Sequence, residues 1–206
     1  SGVEKYFDKE LLATKGNREF EQLQLSLDLR IQNIVYDELT KAMKEFRATS
    51  AVGIVMDIKN GEVISMVSLP DFDPNKASKA KSDDLFNRAT LGIYEMGSTF
   101  KTLTMAMALD RKKIKLNDVY DVQKPIKVSG FTISDFKSKG PWLTVPEIFM
   151  HSSNIGTAKI MYEVGKNVQK EYLKKLGITS PLEIELGEKA KPIYPSDNRW
   201  SDLSAI

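Results

Sequence analysis

Apolar residues recur at regular intervals along the first quarter of the chain. Leucines alternate with polar residues over residues 23–27, which predicts a short half-buried strand. Asp28 comes next, and an aspartate in this position predicts the N-cap of a helix. The apolar residues that follow it share one helical face: Ile31, Ile34, Val35, Leu39, Ala42, Met43 and Phe46. This segment is therefore predicted to form a strand and then an amphipathic helix.

Two further apolar runs, residues 51–58 and 63–67, are separated by Asn60-Gly61. Asn-Gly between apolar runs is the strongest short signal for a β-hairpin, because both residues adopt the turn conformation readily. The pair of runs therefore predicts an antiparallel sheet. Residues 70–84 contain two prolines and many charges, and they are predicted to form a loop.

Several helices are predicted in the second half of the chain. Residues 98–109 are apolar almost all round after the first turn, which is typical of a helix buried within a domain. Residues 111–141 predict loops and short strands. Thr144 and Glu147 predict a capping box, with Pro146 tolerated in the first helical turn. Two more helices are predicted, one starting near residues 152–154 and one over 167–176 that ends at Gly177.

Composition excludes several classes of function. The chain has 206 residues, enough for one large domain or two small ones, and its 30 basic and 28 acidic residues nearly cancel. No polyanion binding by bulk charge is expected, nucleic acid included. There is no cysteine and one histidine, His151, which excludes Cys/His zinc sites, thiol catalysis and disulfide scaffolds. We expect neither a metal nor a cofactor.

The ends and hydropathy of the chain suggest a segment of a longer protein. No stretch approaches 18 apolar residues, so no membrane span is predicted. The first residues contain neither an initiator Met nor a signal-like apolar region. We therefore interpret residue 1 as an internal boundary.

A nucleophile in this chain must be Ser, Thr, Lys or a carboxylate. A Ser-His-Asp triad would need His151, but the chain has no G-x-S-x-G elbow, and a lone histidine beside a helix start is more often structural. The other route is Ser-x-x-Lys on a helix, where residues three apart share a face. Burial lowers the pKa of such a lysine, and the neutral amine can then take the serine proton.

Ser-x-x-Lys occurs three times, at Ser78/Lys81, Ser98/Lys101 and Ser134/Lys137. The first pair lies in a charged run, and the third follows strand-like residues with no apolar helix behind it. Only Ser98 follows a glycine and opens a long apolar helix, where Lys101 would be desolvated. A simpler interpretation remains open, in which Ser98 is an N-cap and Lys101 is a surface lysine with a buried stem.

A second serine-amide pair would strengthen the catalytic interpretation. Ser-x-Asn occurs at Ser152-Ser153-Asn154 and at Ser196-Asp197-Asn198. The second copy lies in a proline-rich loop, where an Asx turn explains it. The first copy lies at a predicted helix start, where an N-cap is the simpler explanation.

These residues together resemble the transpeptidase domain of class B, division-type penicillin-binding proteins. Residues 94–101 resemble the nucleophile motif with its approach, and residues 143–156 resemble the second motif. Further similarity covers residues 1–11, 25–32, 51–70, 72–75 and 87–89, in family order. The resemblance implies an α+β fold of the penicillin-binding and serine β-lactamase type, with a helical cluster on an antiparallel sheet. It also implies a lead-in segment over 1–20, from the N-terminal pedestal region, and a partial transpeptidase domain over 21–206.

The resemblance implies a mechanism as well. Ser98 would attack a D-Ala-D-Ala stem peptide, with Lys101 as the base. Ser152 would relay a proton to the leaving amine, and Asn154 would orient Lys101 and the substrate amide. An amine from a neighbouring stem would then resolve the acyl-enzyme into a peptidoglycan crosslink, and β-lactams would acylate Ser98 as substrate mimics. Substrate contacts are implied for the neighbouring residues Gly97, Thr99 and Ser153.

The chain departs from the family pattern in three places, the first being a stretch between Gly16 and Gln24 that is shorter than usual. Met96 stands where the family usually has proline, and the Lys-Thr-Gly motif is absent. Lys59-Asn60-Gly61 precedes the nucleophile and is better interpreted as the hairpin turn. The chain is therefore expected to end before the Lys-Thr-Gly strand, leaving the sheet incomplete and one oxyanion donor missing. Because one such donor contributes about 10²–10³ in rate, little or no penicillin acylation is expected from these 206 residues alone.

The expected partners are peptidoglycan stem peptides, β-lactam antibiotics and membrane proteins of the division or elongation machinery. The resemblance implies a membrane anchor in the full-length protein and a catalytic domain facing the periplasm or the cell exterior. The alternatives are a β-lactam sensor, a D,D-carboxypeptidase or a serine β-lactamase of the same fold.

Overall fold

The structure is a computed structural model that describes residues 2–13, 23–128, 130–137, 139–196 and 199–201. The chain divides into two compact units, which are described separately below. Unit 1 comprises Ser1–Ile93 and Leu182–Lys191, and unit 2 comprises Tyr94–Pro181 and Pro192–Ile206. Residues 14–20 of the predicted lead-in segment and residues 197–198 of the second Ser-x-Asn lie outside the described part.

Unit 1 is built on a helix packed against a β-hairpin. Its elements are α1 (Gly2–Tyr6), α2 (Asp8–Ala13), α3 (Leu29–Phe46), β1 (Ala51–Met56), β2 (Val63–Leu69), a 3₁₀ segment (Pro74–Lys79) and α4 (Arg88–Leu91). Asp28 caps α3 as predicted, since its carboxylate accepts from the Arg30 amide at 2.8 Å. A Cβ added at Gly53 of β1 would lie 2.7 Å from a methyl of Val35, so a glycine is needed where α3 crosses the strand.

The predicted hairpin is confirmed, but the predicted strand before α3 is wrong. β1 and β2 pair antiparallel from Ala51 opposite Leu69 to Met56 opposite Val63. Residues 23–27 form no strand, because one backbone bond, from the Asp28 amide to the Ile64 carbonyl at 2.9 Å, is followed at once by α3. The alternation of leucines therefore does not correspond to a strand, and Leu23 and Leu25 are 40% and 42% exposed.

The described part of unit 2 combines four α-helices with two short antiparallel ladders. Its elements are α5 (Lys101–Asp110), β3 (Val119–Asp121), β4 (Ile126–Val128), β5 (Phe131–Ile133), β6 (Trp142–Thr144), α6 (Val145–Met150), α7 (Asn154–Val164) and α8 (Lys166–Lys175). β3 pairs with β6, and β4 pairs with β5. The capping box of α6 is confirmed, because Glu147 and Thr144 each accept from the other's backbone amide.

The core of unit 2 lies where α5, α6 and α7 meet. Met107 of α5, Ile148 of α6 and Ile160 of α7 are each at most 2% exposed. The apolar surface of α5 is less fully buried than its sequence predicts, since Leu109 is 41% exposed. The helix thus packs by one face, and its first turn is left at the surface of the unit.

Gly156 allows α7 to approach α6 closely, two residues after Asn154. A Cβ added there would lie 2.6–2.8 Å from three side-chain carbons of Ile148, which is fully buried and has no room to move. We therefore expect Gly156→Ala to destabilise the protein by about 1–3 kcal/mol despite the better helix propensity of alanine. A thermal melt of the intact protein should show a lower midpoint.

Gly187→Ala is the matched control for this substitution. A Cβ at Gly187 has no neighbour within 4 Å, so the melting midpoint should stay close to that of the unmodified protein. An unchanged midpoint in Gly156→Ala would contradict the close contact between α6 and α7.

Candidate active site

Ser98 lies in a 3₁₀ turn, Gly97–Phe100, immediately before α5. Gly97 has a φ of +54°, a left-handed conformation that glycine adopts without a Cβ penalty. The Thr99 hydroxyl donates to the Met96 carbonyl at 2.6 Å and closes the turn. Neither this turn nor α5 uses a side-chain cap, so the N-cap interpretation of Ser98 is wrong. Its hydroxyl is exposed.

Lys101 is the first residue of α5, and its amine makes three hydrogen bonds. Nζ donates to the Ser152 carbonyl at 2.6 Å, to Ser152 Oγ at 2.9 Å and to Asn154 Oδ1 at 2.6 Å. The side chain is half-buried, so it is not the surface lysine of the simpler interpretation. Burial lowers the pKa of Lys101, and the carboxylate of Asp135 acts in the opposite direction.

Ser152 joins the lysine to the candidate nucleophile. Its Oγ accepts from Lys101 Nζ and donates to Ser98 Oγ at 2.9 Å. Its φ is +53°, in the left-handed region, a conformation that costs a residue other than glycine about 1–2 kcal/mol. Such strain is retained where the surrounding structure enforces it, and here it directs the hydroxyl between two functional groups.

The cap of α7 is Ser153, the middle residue of the Ser-x-Asn motif. Its hydroxyl accepts from the Gly156 amide at 2.9 Å and donates to Asp135 Oδ2 at 2.7 Å. The residue is 3% exposed and presents no free hydroxyl. Ser153 is therefore the residue that caps α7. Its two neighbours, Ser152 and Asn154, both contact Lys101 instead.

The amide of Asn154 is fixed at both ends. Nδ2 donates to the Ser134 carbonyl at 2.8 Å, and Oδ1 accepts from Lys101 Nζ. Because a carbonyl can only accept, this contact assigns the amide nitrogen to the Ser134 side and the amide oxygen to the lysine side. The four predicted catalytic side chains, Ser98, Lys101, Ser152 and Asn154, thus form one hydrogen-bonded group.

Comparison with protein-family models decides the family. The model described as the penicillin-binding protein transpeptidase domain matches residues 51–206. The chain belongs to this family. The matched residues include both motifs of the candidate site, and the match confirms the resemblance found in the sequence.

Curated relatives extend the similarity over nearly the whole chain. A protein named probable peptidoglycan D,D-transpeptidase FtsI, from Caulobacter vibrioides, is 40% identical over 200 residues, covering 97% of this chain and 33% of the relative. One named probable peptidoglycan D,D-transpeptidase PenA, from Neisseria gonorrhoeae, is 34% identical over 179 residues, covering 87% of this chain and 30% of the relative. The chain therefore spans about a third of the length of these relatives.

Solved structures confirm the α+β transpeptidase fold. The apo structure of the TP domain of penicillin-binding protein 3 from Burkholderia pseudomallei matches with a TM-score of 0.76 and 26% identity, covering 88% of this chain and 50% of that one. A peptidoglycan glycosyltransferase from Burkholderia ambifaria matches with a TM-score of 0.77 and 25% identity, covering 88% and 54%. Within the described ranges, no helix is both long enough and apolar enough to cross a membrane.

The other serine and histidine candidates lie outside this hydrogen-bonded group. Ser78 and Lys81 are exposed in and after the 3₁₀ segment of unit 1. His151 is exposed at the C-cap of α6. Neither arrangement offers a serine paired with a buried base.

Two residues of the site were missed by sequence reasoning. Ser134 belongs to the Ser-x-x-Lys pair that follows strand-like residues and has no apolar helix behind it, yet its carbonyl orients Asn154. Asp135 binds both Ser153 and the Ile155 amide, although an acidic residue after a short strand is normally interpreted as part of a turn. No local pattern marks either residue, because both act across 18–20 positions of the chain.

Proposed function

We propose that the protein is a serine-type peptidoglycan D,D-transpeptidase in which Ser98 is the nucleophile and Lys101 the base. The single observation on which this proposal rests is the continuous chain of hydrogen bonds from Ser98 through Ser152 to Lys101. Membership of the transpeptidase family and relatives named D,D-transpeptidases support the reaction class.

The hydrogen-bonding pattern around Lys101 fits a resting ammonium. An ammonium has three N–H donors and no acceptor, and three acceptors surround Nζ. Ser152 accepts from the lysine in this state, so its own proton is directed to Ser98. The nucleophile then keeps its proton and is inactive.

Deprotonation of Lys101 reverses donor and acceptor in two hydrogen bonds, the one between Lys101 and Ser152 and the one between Ser152 and Ser98. A neutral amine has two N–H donors, which remain on the Ser152 carbonyl and Asn154 Oδ1, because these oxygens only accept. Its lone pair is then left facing Ser152 Oγ, which must donate to it, and Ser98 must in turn donate to Ser152. The proton path from Ser98 to the base thus runs through Ser152.

The proposed reaction uses this path in both directions. As Ser98 Oγ forms a bond to the carbonyl carbon of the penultimate D-Ala, its proton passes to Ser152 and the Ser152 proton passes to Lys101. The reverse transfer delivers a proton to the amine of the terminal D-Ala as the C–N bond breaks. An acceptor amine then attacks the acyl carbonyl carbon: a new C–N bond forms, the bond between that carbon and Ser98 Oγ breaks, and the proton lost by the amine returns through Ser152 to Ser98.

Substrate contacts are also proposed for the residues next to Ser98. Gly97 and Thr99 flank the nucleophile, and the Ser98 backbone amide is the proposed first oxyanion donor. Ser153 is proposed to act on the substrate only through Ser152 and Asn154, since its hydroxyl is buried and bonded.

The setting of the protein is also a proposal. We assign it to the bacterial inner membrane, with the transpeptidase unit facing the periplasm or the cell exterior. Residues 1–20 are proposed as a lead-in from an N-terminal pedestal region and residues 21–206 as transpeptidase domain. The proposed partners are peptidoglycan stem peptides, β-lactams and membrane proteins of the division or elongation machinery.

The experiment that tests the function is covalent labelling followed by turnover. The intact protein is incubated with a labelled penicillin, and mass spectrometry is expected to place the adduct on Ser98. With a stem-peptide substrate and an acceptor amine, the product should be the crosslinked peptide. Hydrolysis alone would indicate a carboxypeptidase or β-lactamase, and an adduct without turnover of stem peptide would indicate a sensor.

The same labelling applied to the 206-residue chain tests the effect of the missing motif. These residues contain no Lys-Thr-Gly, so the proposed second oxyanion donor is absent from them. We expect acylation to be slower than in the intact protein by at least about 10²–10³.

A further inference from the structure

Two consecutive residues after β5 hold three consecutive residues at the start of α7. Asp135 Oδ2 accepts from the Ser153 hydroxyl at 2.7 Å, and Oδ1 accepts from the Ile155 amide at 3.0 Å. The Ser134 carbonyl accepts from the Asn154 amide nitrogen at 2.8 Å. Both oxygens of one carboxylate are therefore used on either side of Asn154, in the turn where Ser152 and Asn154 meet Lys101.

The turn needs external support because its backbone is strained. Ser152 has a left-handed φ of +53°, which a serine does not adopt at low cost. The Ser153 amide donates to the Ile148 carbonyl at 2.9 Å, which secures one side of the turn from α6. The carboxylate of Asp135 secures the other side, and at the N-terminus of the 11-residue α7 a negative charge is favourable.

We propose that Asp135 is a positioning residue of the transpeptidase site, whose carboxylate fixes the turn at Ser153 and so sets where Ser152 and Asn154 meet the Lys101 amine. The proposal rests on the proposed function. Asp135 itself is not a catalytic residue here, since both its oxygens are bonded to the protein rather than directed at Ser98 or Lys101.

A second effect of the same carboxylate gives the proposal a distinctive readout. Within the described residues, Asp135 is the charged side chain that acts on Lys101, where it favours the ammonium and opposes the effect of burial on the pKa. No charged group on the helices packed against α5 is among the causes of the pKa shift of Lys101. These groups are Glu147 on α6 and His151 at its C-cap, Lys159 and Glu163 on α7, and Lys166, Lys170, Glu171, Lys174 and Lys175 on α8.

The sign of the pH effect follows from this arrangement. Acylation needs neutral Lys101, so the rate rises with pH through the pKa of the lysine. Removing the negative charge of Asp135 lowers that pKa, because the ammonium loses a favourable neighbour. The acid limb of the rate profile should then move to lower pH, whereas simple loss of structure lowers the rate at every pH.

The test measures the second-order rate constant for acylation by a labelled penicillin between about pH 5 and 10 in the intact protein. Asp135→Asn retains shape and one acceptor for the Ile155 amide, and it is expected to move the acid limb to lower pH with a rate loss within about tenfold. Asp135→Ala removes both contacts and is expected to lower the plateau by about 10–100-fold. A thermal melt accompanies each variant.

Asp121→Asn is the matched control. Asp121 Oδ1 accepts from the Gln123 amide at 2.9 Å, a turn bond of similar length in the same unit, and its charge does not act on Lys101. The acid limb and the plateau should both be unchanged. If Asp135→Ala does not fold, the displaced limb of Asp135→Asn decides the question alone.

The outcomes separate this inference from the proposed function. An adduct on Ser98 in the wild type, with Asp135→Asn keeping the wild-type acid limb, would overturn the positioning role while leaving the transpeptidase function intact. A wild type that forms no Ser98 adduct would overturn the proposed function itself. A displaced limb in Asp135→Asn, together with a lowered plateau in Asp135→Ala, would support both.

Discussion

Ser98→Ala is expected to abolish the covalent penicillin adduct of the intact protein. The substitution removes the one oxygen that can form the acyl bond and leaves Ser152, Lys101 and Asn154 in place. Removing the nucleophile of a serine enzyme lowers its rate by a factor on the order of 10⁴–10⁶, so no adduct should be detected within hours. Gel fluorescence and intact mass after labelling provide the measurement.

The site should otherwise survive this substitution. Ser98 lies in an exposed turn that uses no side-chain cap, so the melting midpoint should change little. Ser78→Ala is the matched control, because Ser78 belongs to an identical Ser-x-x-Lys spacing in an exposed segment, and the adduct should form normally. A stoichiometric adduct in Ser98→Ala would show that another residue is the nucleophile.

The convergence of the two motifs was predictable from sequence because each lies at the start of a helix. Ser98 and Lys101 are one turn apart, and the Ser152–Asn154 motif precedes α7, which packs against α5. Side chains at the N-termini of two packed helices meet when the chain between the helices brings those two ends together. The preceding glycine and the long apolar helix singled out Ser98/Lys101 among the three Ser-x-x-Lys pairs, and the motif resemblance then favoured catalysis over an N-cap.

The sequence could not show which serine of Ser152-Ser153-Asn154 caps α7 and which one contacts Lys101. A serine at a helix start predicts an N-cap, but both Ser152 and Ser153 lie at the predicted start, so the sequence does not distinguish them. The backbone decides, since Ser153 has an extended φ of −62° with ψ 121°, whereas Ser152 is left-handed. Only the extended residue can cap α7, and the strained residue is thereby directed to Lys101.

Non-local contacts account for the other differences between prediction and structure. The leucines of residues 23–27 have strand-like alternation, but α3 begins before a ladder can form. Asp135 reaches Ser153 across 18 positions, and no local pattern encodes such a contact. The hairpin and the caps of α3 and α6 were predictable because their signals lie within a few residues of one another.

The state of Lys101 links the fold to the chemistry of the site. Burial favours the neutral amine that can act as a base, whereas Asp135 favours the ammonium. The three acceptors around Nζ also suit the ammonium, so the proposed base becomes available only when deprotonation reverses the hydrogen bonds through Ser152. Because the lowered pKa makes deprotonation easier, the site should gain activity at a lower pH than an exposed lysine would allow.

Lys101→Met is expected to lower the acylation rate of the intact protein by about 10²–10⁴, the usual contribution of a general base. Methionine fills much of the space of the lysine stem but cannot accept the proton that Ser98 must lose. The residual rate should also lose the acid limb that Lys101 gives to the wild type, since the titrating amine is gone. Stopped-flow or quenched labelling across the pH range provides the measurement.

The matched control is Lys81→Met, which changes the exposed lysine of the first Ser-x-x-Lys pair and should leave both the rate and its pH profile unchanged. Lys101→Met also leaves the Ser152 carbonyl and Asn154 Oδ1 without their donor, so a small fall in melting midpoint is expected. That fall cannot produce a flat pH profile, because lost packing affects every pH alike. A Lys101→Met protein that keeps the wild-type acid limb would show that another group removes the proton of Ser98.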